Sequence, residues 1–278
     1  HQHSRYSDGA NDVDQVLLSN LSNGLEFGFL SDHNSAGGLA EWTQGNRFVT
    51  GYDDSNDPIY FLAMRAVEIT TDYGHYQSLG VGNVFEEADI NTLKGDDPVT
   101  EITKMAQETR RSGALAQINH PYSTSTMGFN YWDIVEEFDT IEIWNGLHEP
   151  NRTQNLESKL KWFELLDGYI AGDNSFHAAT GGSDNHDISG YYTASYADLT
   201  TEDGIYTDAY LSRGRYSGIP ATCVYVGSHE DFTEENVLAA IKEGHSFITN
   251  GPMIIADVDG VSYGDTYDLD GASSIDIN

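Results

Sequence analysis

The chain has 278 residues, enough for one large α/β domain or two small ones with a substantial core. It carries 13 Lys and Arg against 45 Asp and Glu, a formal charge of −32, which disfavours nucleic acid and anionic membranes as partners because both are bound mainly through Lys and Arg. No apolar run reaches the ~18 residues of a membrane-spanning helix, and the single cysteine, Cys223 in "ATCVYVG", excludes an internal disulfide and is expected to be a buried small hydrophobe.

The chain opens with "HQHSRYSDG", without Met, and ends in "GASSIDIN" without a helix cap, so a piece of a longer chain is expected. A helix around Asp12–Asn23 follows the opening motif. Buried strands are then predicted at "LEFGFLSDHNS" (25–35), "FLAMRAVEITT" (61–71), "ALAQINHPY" (114–122), "DTIEIWNG" (139–146), "FHAATGGSDNH" (176–186) and "ATCVYVGS" (221–228), with a shorter one at "GHYQSLGVG". Three helices separate them. "DDPVTEITKMAQETRRSG" starts at an Asp97 cap and Pro98, with Val99, Ile102 and Ala106 on one face. "NLESKLKWFELLDG" places Leu156, Leu160 and Phe163 on one stripe before Gly168, and "TEENVLAAIKEG" places Val237, Ala240 and Ile241 likewise before Gly244. This alternation predicts an α/β fold with a mostly parallel sheet, as a barrel or doubly wound. The stretches 37–58 and 188–220 break the rhythm and are expected to wall or cover a site. Residues 1–250 form the expected domain, and 251–278 a β-rich tail that could begin a further module.

Ligand-type side chains gather at strand ends. Of ten histidines, His1, His3, His33, His75, His120 and His186 stand at such positions, accompanied by Asp8, Glu68 and Asp184. In parallel α/β folds the carboxyl ends of strands open on one face, so these residues are expected to converge. Imidazole with carboxylate suits Zn, Mn or Fe, and no thiolate set is present. Nine side chains exceed one ion's needs; two ions leave ligands spare, and three sharing a bridging carboxylate use all of them.

In order and together, "HQHS…SDG", "SDHN", "VEIT…GH", "INHP" and "GGSDNH" resemble the PHP (polymerase and histidinol phosphatase) superfamily over residues 1 to about 260. Within it, "IEIWNG", "LKWFELLDG" and "GIPATCVYVG…IKEGHSFITNGP" resemble the carbaryl-hydrolase-like (CehA/McbA) branch. The resemblance implies a distorted (β/α)7 barrel with a cluster of two or three divalent ions at the carboxyl ends of the strands. It implies one ion on His1, His3, Glu68 and Asp184, a second on Glu68, His75 and His120, and a third on Asp8, His33 and His186, where many relatives have histidine at the position of Asp8. It also implies an apolar strand ahead of the first histidine pair, which fits a trimmed start.

The expected chemistry is hydrolysis by a metal-bridging hydroxide, with Asp8, Glu68 and His186 as the catalytic residues. Three divalent ions bring roughly +6 against roughly −3 from the three acids, an environment suited to an anionic phosphomonoester or phosphodiester despite the acidic surface. A carbamate, carboxylic ester or amide is the alternative substrate on the same fold. Arg5, Asn34, Asn145 and Arg152, in loops at strand ends, are candidate contacts for a small-molecule substrate, with the tyrosines of 191–216 as further lining. Two other classes compete with hydrolysis: an amino-terminal copper chelate at His1, which has no use for histidines at later strand ends, and a non-catalytic metal-stabilised module of an extracellular protein. The acidity and near-absence of Cys suit an extracellular or periplasmic setting, or a haloadapted cytoplasm. Nothing in the sequence bears on the oligomeric state.

Overall fold

The computed structural model describes residues 1–80, 97–123, 127–146, 152–188, 217–253, 256–258, 260–265 and 267. Its strands, in chain order, are β1 (Phe27–Leu30), β2 (Val49–Tyr52), β3 (Pro58–Tyr60), β4 (Leu62–Thr71), β5 (Gly74–Leu79), β6 (Leu115–Ile118), β7 (Thr140–Asn145), β8 (Ala178–Gly182), β9 (Ala221–Val224) and β10 (Ser246–Thr249). Six of them form one strongly curled sheet in the order β1-β4-β5-β6-β7-β8, with β2–β3 and β9–β10 as separate two-stranded ribbons. The fold is mixed α/β, a distorted (β/α) barrel.

The sheet is less parallel than the element order suggests. β1–β4, β6–β7 and β7–β8 run parallel, but β5 is antiparallel to both β4 and β6. The cause is local: Thr71 pairs with Gly74, so only Asp72 and Tyr73 link β4 to β5, too few for a crossover. Gly74 makes the turn at φ +128°, a conformation open essentially to glycine. Residues 1–4 close the ring on the far side. His3 N–H donates to Asn185 O (2.8 Å), Asp184 N–H to His1 O (2.8 Å) and Ser31 N–H to Gln2 O (3.0 Å), placing the segment between the ends of β1 and β8.

Period-2 alternation sorts the strands into an inner and an outer face. Outward, Val67 and Ile69 of β4, Ala116 and Ile118 of β6 and Ile141 of β7 pack with Ile102, Met105 and Ala106 of α3 (Pro98–Arg111). Val13, Val16 and Leu17 of α1 (Val13–Ser22) pack with Trp42, Phe61 and Ala63. Inward, the register stacks two layers. Ala66, Leu79 and Leu115 are paired neighbours in an apolar plug with Met64, Phe29 and the Val237, Leu238 and Ile241 face of α5 (Glu234–Glu243). Glu68, Gln77 and Gln117 are paired neighbours in the next layer, which is polar. Gln117 donates to Gln77 Oε1 and Asn119 Oδ1, and Asn119 donates to Glu68 Oε1 (2.8 Å), so the network ends on Glu68.

The helix caps follow the sequence. Gln15 Oε1 accepts from Asp12 N–H, Asp97 Oδ1 from Thr100 N–H and Thr233 Oγ1 from Asn236 N–H, while Gly244 ends α5 at φ +81°. Because α5 seals the barrel plug, Thr233→Ala is expected to lower stability by about 1 kcal/mol, the usual worth of an N-cap hydroxyl. Urea denaturation with an unchanged slope is the check.

Other expectations are corrected. The stretch 37–58, expected as a wall or lid without regular structure, contains α2 (Leu39–Trp42), whose Trp42 is fully buried, and the β2–β3 hairpin, turned by Asp53 accepting from Ser55 and Asp57 N–H. Asp53 and Asn56 (φ +66°) serve that turn, whereas Asn46 accepts from Ala63 N–H. Helix α4 (Arg152–Ala171) continues through Gly168, and Leu156, Leu160 and Phe163 lie exposed. The inner face instead carries Asn155, Ser158, Trp162 and Leu165. Asn155 brackets the Asn145 backbone from both sides, accepting from its N–H and donating to its carbonyl. Val99 is likewise exposed on α3. The strand at 221–228 is only half-buried, and it pairs with β10 outside the main sheet, with Cys223 half-exposed. The 191–216 tyrosines lie outside the described residues, as does most of the 251–278 tail.

Candidate metal centre

All nine sequence-predicted ligand residues meet at one end of the barrel, though not all for the expected reason. His33, Glu68, His120, Asp184 and His186 come from or just beyond the carboxyl ends of β1, β4, β6 and β8. His75 is the exception. It sits at the start of β5, which faces the same way because β5 is antiparallel. His1, His3 and Asp8 come from the segment that closes the ring. Three corners hold positive φ without glycine: Asn34 (49°), His120 (25°) and Asp184 (48°), strain of the kind concentrated at functional sites.

Glu68 is the hub. Its Oε2 lies 3.2 Å from His1 Nε2 and 3.3 Å from His3 Nε2, and the same two nitrogens lie 3.4 and 3.1 Å from Asp184 Oδ1. Its Oε1 lies 3.2 Å from both His75 Nδ1 and His120 Nε2. A third group stands nearer the solvent, with Asp8 Oδ1 at 3.3 Å from His186 Nε2 and 3.6 Å from His33 Nε2. His33 Nδ1 also approaches Glu68 Oε2 (3.1 Å) and Thr70 Oγ1 (2.5 Å). Side-chain exposure rises from 1% at His1 and Glu68 to 35% at His186 and 58% at Asp8, so the cluster opens at its third group.

These residues fit divalent ions. Donors about 2.1 Å from a common centre stand about 3.0–3.4 Å apart at octahedral or tetrahedral angles, the spacing seen around Glu68. His1 Nε2, Glu68 Oε2 and His75 Nδ1 are buried yet make no hydrogen bond among the described residues, and buried polar atoms left so call for an ion or water. The electrostatics agree. Burial opposes charge on His1, yet Glu142, Asp184 and Glu68 outweigh it and hold the imidazole well above its ordinary range. Glu68, against the same burial penalty, is held well below the usual carboxylate range by His1, His120 and His75. The carboxylates of this pocket thus favour positive charge among them, carried by His1 itself in the metal-free protein.

The expected substrate contacts behave differently. Asn34 donates to Thr70 O and accepts from Thr70 N–H, so its amide ties the end of β1 to β4. Asn145 Nδ2 donates to Glu142 Oε2 and Asp184 Oδ2. Both amides hydrogen-bond to the protein itself. Arg5 donates to Ala10 O and pairs with Asp12, and Arg152 is the exposed first residue of α4. Two buried acids carry no metal-type spacing in the sequence. Asp32 accepts from Ser4 N–H, Ser4 Oγ and Ser7 Oγ, anchoring the opening loop, and Glu142 of β7 backs His1. The signal for Glu142 was its place in "IEIWN", an acid at an inward strand position.

No protein-family model and no curated protein matches the chain. Among solved structures, it is similar to a two-domain protein from Bacteroides vulgatus containing a predicted PHP-like metal-dependent phosphoesterase, with TM-score 0.57 and 17% identity over 90% of this chain and 63% of that one. It is also similar to PsfC from Pseudomonas syringae, with TM-score 0.51 and 14% identity over 90% of this chain and 88% of that one. This chain therefore spans less than two thirds of the Bacteroides protein, and at these identities the likeness is one of fold. In its fold, the chain is similar to a protein containing a predicted PHP-like metal-dependent phosphoesterase.

Proposed function

We propose that the protein is a metal-dependent hydrolase, and a phosphoesterase first. The observation that carries this is the division of Glu68, with one oxygen among His1, His3, His33 and Asp184 and the other between His75 and His120. On this reading His1, His3, Glu68 and Asp184 hold one divalent ion, Glu68, His75 and His120 a second, and Asp8, His33 and His186 a third. When bound, such ions supply Lewis acidity toward an ester oxygen and lower the pKa of water. The chain's own contribution is placement: Glu68 fixes the spacing of the two inner sets, and the β4–β6 polar network fixes Glu68. Asp8 and His186 lie at the solvent-facing rim; as ligands they would hold the third ion toward substrate, and with that site empty they would be the groups to carry a proton to or from it. The fold shared with the Bacteroides protein supports the phosphoester.

A carboxylic ester, carbamate or amide remains the second reading, favoured by one observation. Arg5, the cation within the opening motif, bonds Ala10 O and pairs with Asp12 rather than with the cluster, which leaves an anionic substrate to depend on the metal ions for its countercharge. Metal content per chain followed by a substrate panel separates the two. Two or three equivalents of Zn, Mn or Fe are expected, with turnover of p-nitrophenyl phosphate or bis-p-nitrophenyl phosphate that a chelator abolishes. Faster turnover of naphthyl carbamates or p-nitrophenyl acetate selects the second reading. No metal uptake, even after addition, ends both.

A further inference from the structure

Glu142 stands behind the cluster rather than in it. Its side chain is 1% exposed, and Oε1 lies 3.0 Å from His1 Nδ1. Oε2 accepts from the His120 backbone N–H and from Asn145 Nδ2, both at 3.0 Å. Asn145 Nδ2 also reaches Asp184 Oδ2 at 3.2 Å, and Asn155 grips the Asn145 backbone. One buried acid and one amide thus touch ligand residues from the opening segment, from β6 and from β8. There is no slack in the arrangement: a Cβ at Gly182 would stand 2.6 Å from His1 Cβ and 2.7 Å from Glu142 Oε1.

We propose that Glu142, with Asn145, is the positioning pair of the metal centre, holding His1 in the tautomer whose Nε2 lone pair faces the ion. The inference rests on the reading that the centre binds metal. Its chemistry is specific to a carboxylate. The partners at His120 and Asn145 are N–H donors, and the ring nitrogen opposite Oε1 must also donate if Nε2 is to ligate. Only an acceptor on both oxygens satisfies all three. A glutamine of the same size turns an NH2 toward at least one donor. Either a bond is lost, or His1 moves its proton to Nε2 and ceases to be a ligand. Outer partners of this kind orient a ligand imidazole and raise its basicity.

The test is Glu142→Gln, titrated with Zn(II) against a chromophoric chelator, with the visible spectrum recorded at saturating Co(II). Zinc affinity is expected to fall about 10–100-fold, and the Co(II) bands are expected to change in position or intensity. A variant that is merely less stable would recover the wild-type Co(II) spectrum at saturation, and wild-type affinity with a wild-type spectrum overturns the proposal. Should Glu142→Gln fail to fold, Asn145→Ala decides. It removes the donor to Glu142 and Asp184 and is expected to weaken zinc about tenfold, whereas unchanged affinity overturns the pairing. Wild-type protein that takes up no metal instead removes the reading beneath the proposal, and the proposal with it.

Discussion

Glu68→Gln is expected to strip the inner ions and to lower turnover by about 10³-fold or more, the several kcal/mol that metal ions contribute to such reactions at 1.36 kcal/mol per decade. The geometry leaves no substitute bridge. His1 and His3 face one Glu68 oxygen, His75 and His120 face the other, and Asn119 donates to the second from below. An amide presents one oxygen only, so one set must meet an NH2 that cannot ligate. The fold should survive. Removing one partner of a buried ion pair costs about 3–5 kcal/mol when the other charge is stranded, but His1 can shed its proton and avoid that. The check is elemental analysis beside circular dichroism and kinetics. A folded Glu68→Gln protein that keeps its metal content and rate would exclude Glu68 as the bridge.

Why this centre could be read from sequence, and its supports could not, has a physical answer. Metal-type ligands are rare residues at strand ends, and a barrel gathers its strand ends whatever their spacing, so His33, His120 and "GGSDNH" announced themselves. The elements did too, because caps and periodicity are local: Asp97 and Gly244 sit at the helix ends they marked. Orientation is not local. The period of α4 was right and its face wrong, because Asn155 is drawn inward by the Asn145 backbone, while Leu156, Leu160 and Phe163 are left outside. The direction of β5 was hidden because a two-residue turn was not distinguished from a longer connection. Asn34 and Asn145 read as substrate contacts because an amide at a strand end looks the same in sequence whether it faces a ligand or a neighbouring strand, and here both bond to the ends of neighbouring strands. Glu142 gave only the signal of an acid at an inward strand position, for a related reason. Its meaning lies in three donors from residues far apart in the chain.

Removal of the divalent ions should be visible in stability as well as in rate, and its pH dependence should have a definite sign. Against free metal about 1,000-fold above Kd, the stripped protein is expected to be less stable by about 4 kcal/mol. In the metal-free protein His1 is held well above its ordinary value, with burial overcome by Glu142, Asp184 and Glu68, and His120 is raised, with burial overcome chiefly by Glu68. A raised imidazole stabilises the metal-free fold fully below its unfolded pKa of about 6.5, and that contribution fades as pH climbs through the folded value. Ligation needs the neutral ring, so the same protons must leave when metal binds. His33 differs: burial lowers it to about 4, so its ring is already neutral. Glu68 is ionised throughout this range, since its depressed pKa matters only as pH falls below the usual carboxylate value. Raising pH from 6 to 8 therefore weakens the stripped protein and strengthens metal uptake. The gap between melting temperatures with and without chelator should widen, and calorimetry in two buffers of different ionisation enthalpy should show about one or two protons released per chain. A gap that narrows toward pH 8, or uptake without proton release, would mean that His1 and His120 are neutral before the metal arrives, and that the surrounding carboxylates do not set the charge of this pocket.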